Sequence, residues 1–155
     1  MPFNQILVPF DKSELSKKAI DQAIQLSKEN LTRVYILHVI NEIPLPVRFS
    51  KIESRNNEIV ISPLINQVYD ELRIDMDMIL QEIKKNYNEH KVSITTEILI
   101  GNPVEKIVDF VNQNSIDLVI MGSVGLRGFS GMIKRIGSVS RSVAEEVSCP
   151  VLIMR

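Results

Sequence analysis

The glycines of this chain are gathered in one place. Five of its six fall in the stretch from Met121 to Ser140, which reads MGSVGLRGFSGMIKRIGSVS. The apolar segment 116–121 leads into it, and Val139, Val143 and Val147 follow at helical spacing. Strand, glycine-rich loop and helix, in that order, present bare backbone N–H groups to a phosphate at the positive end of the helix. Glycine suits this chemistry because it lets main chain approach a ligand closely and tolerates positive φ. The pattern points to nucleotide binding rather than to a particular reaction; a solvated basic loop is the competing reading.

Charge placement agrees with a small anionic ligand. From Gly122 onward five basic side chains (Arg127, Lys134, Arg135, Arg141, Arg155) stand against two acidic ones (Glu145, Glu146), while the whole chain carries a net charge of −1. A long polyanion would demand a basic protein, so neither nucleic acid nor a membrane surface is an expected partner. Arg127, Lys134 and Arg135 are candidates to reach a terminal phosphate.

Other reactive groups are sparse. Cys149 is the sole cysteine, which excludes an internal disulfide, and it precedes Pro150 and an apolar run where it packs as a small hydrophobe. His38 ends a strand-like segment; it either faces the cleft or is a hydrogen-bonded structural histidine, and His90 lies in a polar turn. The glycine-rich loop lacks the Gly-Lys-(Ser/Thr) ending of a Walker A sequence, and neither a zinc-type Cys/His cluster nor a Gly-x-Ser-x-Gly elbow is present. No catalytic residue is assigned, and an enzyme is not the expected reading. Asp11 can help hold Mg²⁺ through water.

The elements that must position these residues follow from periodicity. Gln5–Pro9 reads as a buried parallel strand. Asp11 and Ser13 offer capping oxygens to a helix whose apolar stripe is Leu15, Ala19, Ile20, Ala23, Ile24 and Leu26. Arg33–Val39 is a second strand. Residues 41–61, with Pro44 and Pro46, read as a long loop leaving that strand's carboxyl end. Ser62-Pro63 opens a helix to about Asn88, with Leu64, Val68, Leu72, Met76, Ile79 and Ile83 on one side. Val92–Ile100 alternates as a strand does; Gly101 ends it, and Asn102-Pro103-Val104-Glu105 starts a helix facing inward with Ile107, Val108 and Val111. Residues 116–121 and Val151–Met154 are the fourth and fifth strands.

With 155 residues and no composition break, the chain is expected to form a single domain over 1–155. The order β-α-β-α-β-α-β-α-β predicts a doubly wound α/β fold, a parallel sheet with helices on both faces. The last run is apolar and would be an edge strand, which invites pairing into a homodimer. No basic-plus-apolar leader opens the chain, and no apolar run reaches about 18 residues, so a cytoplasmic location is expected.

Taken together, these segments resemble the universal stress protein family along the full length. The resemblance rests on Ile6-Leu7-Val8-Pro9-Phe10-Asp11-Lys12-Ser13, Leu37-His38-Val39, Gly101-Asn102-Pro103-Val104-Glu105-Lys106-Ile107, Asp117-Leu118-Val119-Ile120-Met121-Gly122-Ser123, Gly137-Ser138-Val139-Ser140 and Cys149-Pro150-Val151-Leu152-Ile153. It implies a flavodoxin-like, Rossmann-like five-stranded sheet of order 3-2-1-4-5, dimerising through the last strand. The family's ATP-binding branch carries Gly-x2-Gly-x9-Gly-(Ser/Thr). Gly122-x2-Gly125 and Gly137-Ser138 match it, with eleven residues between Gly125 and Gly137, two more than in the pattern.

Carried over residue by residue, the resemblance implies that Asp11 lies near adenine and ribose, with Pro9 and Val39 lining the adenine pocket. Gly122 and Gly125 let the chain pass beneath ribose and phosphates. Gly137, Ser138 and Val139 supply N–H groups, and Ser138 and Ser140 hydroxyls, to the phosphates. Each has a plain alternative: Asp11 as a helix cap, Val39 as core, Ser138 as an N-cap. The implied function is an ATP-binding stress-response switch, with or without Mg²⁺, read by a protein partner. A slow ATPase and a nucleotide-free dimeric scaffold are the other two readings.

Overall fold

The computed structural model describes residues 3–28, 32–44, 61–87, 92–124 and 136–155. Nine elements alternate through it: β1 (Gln5–Pro9), α1 (Glu14–Ser27), β2 (Arg33–Ile40), α2 (Ile61–Asn86), β3 (Ser93–Ile100), α3 (Pro103–Gln113), β4 (Leu118–Gly122), α4 (Ser138–Glu146) and β5 (Val151–Met154). The strands form one parallel sheet of order β3-β2-β1-β4-β5. The expected α/β architecture and strand order are therefore present.

Period-two alternation divides the sheet's side chains between two cores. Ile6, Val8, Ile36 and Ile120 point to one face, where Ile20 and Ile24 of α1 and Met76 and Leu80 of α2 cover them. Leu7, Leu37, Val119 and Met121 point to the other, under Ile107 and Phe110 of α3 and Val143 of α4. Cys149 packs at the rim of this second core, and burial pushes its thiol up.

The helix starts follow local chemistry. Ser13 accepts from Ser16 N and caps α1, and Asn102 accepts from Val104 N and Glu105 N and caps α3, with Pro103 at the first helical position. Asp11 supports the first of these, its Oδ1 accepting from Ser13 N at 3.0 Å across Lys12, whose φ is 70°.

Three details depart from the sequence reading. Leu26 is exposed, because Ser16, Ala19, Ala23 and Ser27 hold the inward stripe of α1. The fourth strand begins at Leu118, not at 116: Ile116 N donates to the Val111 carbonyl, and the Asp117 carboxylate accepts from the backbone of Asn4 and Gln5. Finally, α2 outruns its support. Its 26 residues span about 39 Å, whereas the 8 of β3 span about 26 Å. Met76 and Leu80 are buried, while Leu64, Val68 and Leu72, read from the sequence on one side with Met76, are exposed.

Candidate functional site

The strand order reverses between β1 and β4. The chain walks outward from β1 through β2 to β3, then crosses back to lay β4 on the other side of β1. The helices covering the two halves lie on opposite faces, which opens a crevice at the carboxyl ends of β1 and β4.

Register brings the expected residues to that crevice. Pro9 pairs with Leu37, so Asp11, two residues past the end of β1, stands at the height of Val39, which is still within β2 and pairs with Leu99. On the other side Leu7 pairs with Val119, and Gly122 ends β4 close to the level of Phe10. Asp11, Pro9 and Val39 are half-buried, and Val39 also packs against the second core. His38 belongs to the scaffold: its Nδ1–H donates to the Phe10 carbonyl at 2.7 Å, which fixes the tautomer. Burial pulls its pKa below the ordinary histidine value, outweighing the opposite pull of that hydrogen bond.

Gly122 is required by packing. A Cβ there would stand 2.9 Å from Leu15 Cβ, so the bare residue lets the end of β4 lie directly against the start of α1. Beyond it, Ser123 N donates to the Met154 carbonyl, tying the outgoing chain to β5.

The start of α4 is fastened to this point twice. Gly137 N donates to the Ser123 carbonyl at 2.6 Å, and Ser140 Oγ donates to the Gly122 carbonyl at 2.7 Å. Gly137 is the N-cap, so Ser138 is the first helical residue and does not act as the cap. No side chain caps α4, in contrast to α1 and α3, and its first turn contains no acidic residue. Helix starts leave N–H groups without intrahelical partners and carry partial positive charge. Ser138 is exposed and Val139 half-buried beside the end of β4.

Gly125 lies outside the described residues, as do Arg127, Lys134, Arg135 and His90. Two features escaped the sequence reading. Ser123 anchors both the outgoing chain and Gly137, and Lys12 takes a left-handed conformation; only the Asp-x-Ser spacing hinted at the second. Among the described residues no cluster of three or more His, Cys, Asp or Glu is placed to hold a metal, and no helix is long and apolar enough to cross a membrane.

Comparison with known proteins agrees with this architecture. The model of the universal stress protein family matches residues 2–155. A universal stress protein of Bacillus subtilis, YxiE, is 33% identical over 155 residues, 99% of each chain. The solved universal stress protein UspA from Lactobacillus plantarum superposes with a TM-score of 0.83 at 20% identity, over 100% of this chain and 99% of the other. Two further solved universal stress proteins share the fold. One, in complex with cAMP, has a TM-score of 0.63 at 22% identity over 100% and 98% of the two chains. The other, from Archaeoglobus fulgidus in complex with dAMP, has 0.66 at 18% over 100% of both. The reversed strand order, the glycine-lined exit from β4 and the matched length lead to one assignment: the chain belongs to the universal stress protein family.

Proposed function

We propose that this protein binds an adenine nucleotide, ATP, at the carboxyl ends of β1 and β4, and acts as a ligand-dependent switch read by a protein partner. The observation that carries the reading is the start of α4. It has no capping side chain, it is held against β4 by two hydrogen bonds, and it stands at the crevice where the strand order reverses. The cAMP and dAMP complexes formed by two proteins of this fold support an adenine nucleotide as the ligand class.

In this reading Pro9 and Val39 flank the base and Asp11 meets the ribose. The N–H groups of Ser138, Val139 and Ser140, with the Ser138 hydroxyl, receive phosphate oxygens. Gly137 and Ser140 act chiefly by holding the helix in place, since Gly137 N–H and Ser140 Oγ already donate to β4-end carbonyls. Gly122 does the same through its contact with α1, and Gly125 allows close approach of the chain to the phosphates. Mg²⁺ would be carried by the phosphates, with Asp11 reaching it through water, because a hard cation takes oxygen ligands and keeps several waters. The outer edge of β5, where Leu152 is exposed, is the proposed homodimer contact, and the cytoplasm the proposed location.

Calorimetry with ATP and Mg²⁺ tests the assignment. Saturable binding is expected, lost in Gly125→Val, with phosphate release at background. Full ATP affinity in that variant would count against the phosphate loop. Absence of any adenine-nucleotide binding by the wild-type protein would leave the scaffold reading.

A further inference from the structure

The solvent side of α2 departs from the usual polar outer face of a surface helix. Ile74 and Met78 are 61% and 62% exposed. At about 100° per residue they lie roughly 160° away from Met76, which is buried. With Arg73 and Asp77 of α2 and Ile98 of β3 they line an open hollow beside the edge strand.

The rim of the hollow is acidic. Asp70 and Asp77 border it on one side, Glu71 and Asp75 on the other, and all four are exposed. Glu71 and Asp77 accept from Gln67 and Gln81, but among the described residues the only ion pair is Lys17–Glu14, so these carboxylates have no cationic partner there. Glu71 and Asp75 stand four residues apart on one helix, an arrangement of like charges that destabilises it unless a cation intervenes.

We propose that this face of α2 is a docking surface for a cationic amphipathic helix of a partner protein. Ile74 and Met78, with Ile98, would receive the partner's apolar stripe, and the carboxylate rim its flanking lysines or arginines. A second copy of this chain fits poorly. Two-fold pairing of the hollow would set one acidic rim against another, the like-charge contact that suppresses wrong partners. The surface lies beside the edge strand β3, separated by β2 from the crevice between β1 and β4.

The test uses the full chain and two fluorescein-labelled helical probes of about 18 residues, long enough to hold a helix on binding. They share a leucine stripe; one carries lysines on its polar face and the other glutamates. Anisotropy is expected to show saturable, salt-sensitive binding of the lysine probe and none of the glutamate probe. Affinity should fall about tenfold in Ile74→Gln/Met78→Gln, and should also fall in Asp70→Asn/Asp77→Asn. Circular dichroism melts confirm that the variants keep the fold, and unchanged ATP calorimetry separates this surface from the nucleotide reading. The proposal is overturned by equal binding of both probes, by no binding of the lysine probe, or by full affinity in either variant. It is also overturned if sedimentation shows self-association that Ile74→Gln/Met78→Gln abolishes, since a second copy would then be the occupant.

Discussion

Replacing Gly122 by alanine tests whether the end of β4 and the start of α1 are pressed together as tightly as their geometry implies. The added Cβ would stand 2.9 Å from Leu15 Cβ and 3.4 Å from the Leu15 carbonyl carbon and the Ser16 nitrogen. The first distance is inside the contact limit, and the atom met is the root of a helical side chain, which moves only with its backbone. Relief requires α1 to back away from β4, an overpacking that costs about 1–3 kcal/mol. Alanine also narrows the unfolded ensemble, which returns about 0.4–1 kcal/mol where the backbone is compatible. The net expectation is a loss of about 1–2 kcal/mol, or a melting midpoint lower by about 2–8 °C for a chain of this size. Urea unfolding followed by circular dichroism should show a lower midpoint at unchanged slope. Leu15→Gly supplies the control background, because it removes the closest contact. There Gly122→Ala should cost less than about 0.5 kcal/mol, exposing the coupling in a double-mutant cycle. A neutral Gly122→Ala in the wild-type background, or an equal cost in both, would refute the packing argument.

Two further outcomes follow from the geometry. His38 is held below its ordinary pKa by burial, so the unfolded chain takes up its proton more readily, and stability should decline as pH drops below about 6.5. His38→Gln should flatten that acid limb; an unchanged slope of urea midpoint against pH would dismiss His38 as its source. Leu152 is 39% exposed on β5, whereas Val151 and Ile153 pack into the second core. Leu152→Lys should therefore reduce self-association without unfolding the chain, and an unaltered sedimenting mass would argue against a dimer formed through β5.

Much of the architecture was legible because parallel strands buried on both faces are continuous apolar runs, as at Ile6-Leu7-Val8 and Leu118-Val119-Ile120. Caps were equally readable where a side chain does the work: Asn102 before Pro103 marks α3 without ambiguity. The strand order came from family resemblance, since periodicity counts strands but does not arrange them. Helix faces were read less well. Apolar residues at helical spacing look alike whether or not a sheet lies beneath them, so the sequence puts Leu64, Val68 and Leu72 on one side with Met76, and on a helix too long for its sheet they are exposed. At the site, the glycines were visible but their separate reasons were not. Only coordinates show that Gly122 answers to Leu15, and that the Ser140 hydroxyl is spent on the Gly122 carbonyl.

Those same bonds, from Gly137 N to Ser123 O and from Ser140 Oγ to Gly122 O, give the glycine-rich segment a stitched neck. A change of two residues in the length of chain joining these two fixed points alters closure entropy by only about 0.1–0.2 kcal/mol. The spacing between Ser123 and Gly137 is therefore a quantity that the neck leaves thermodynamically almost free.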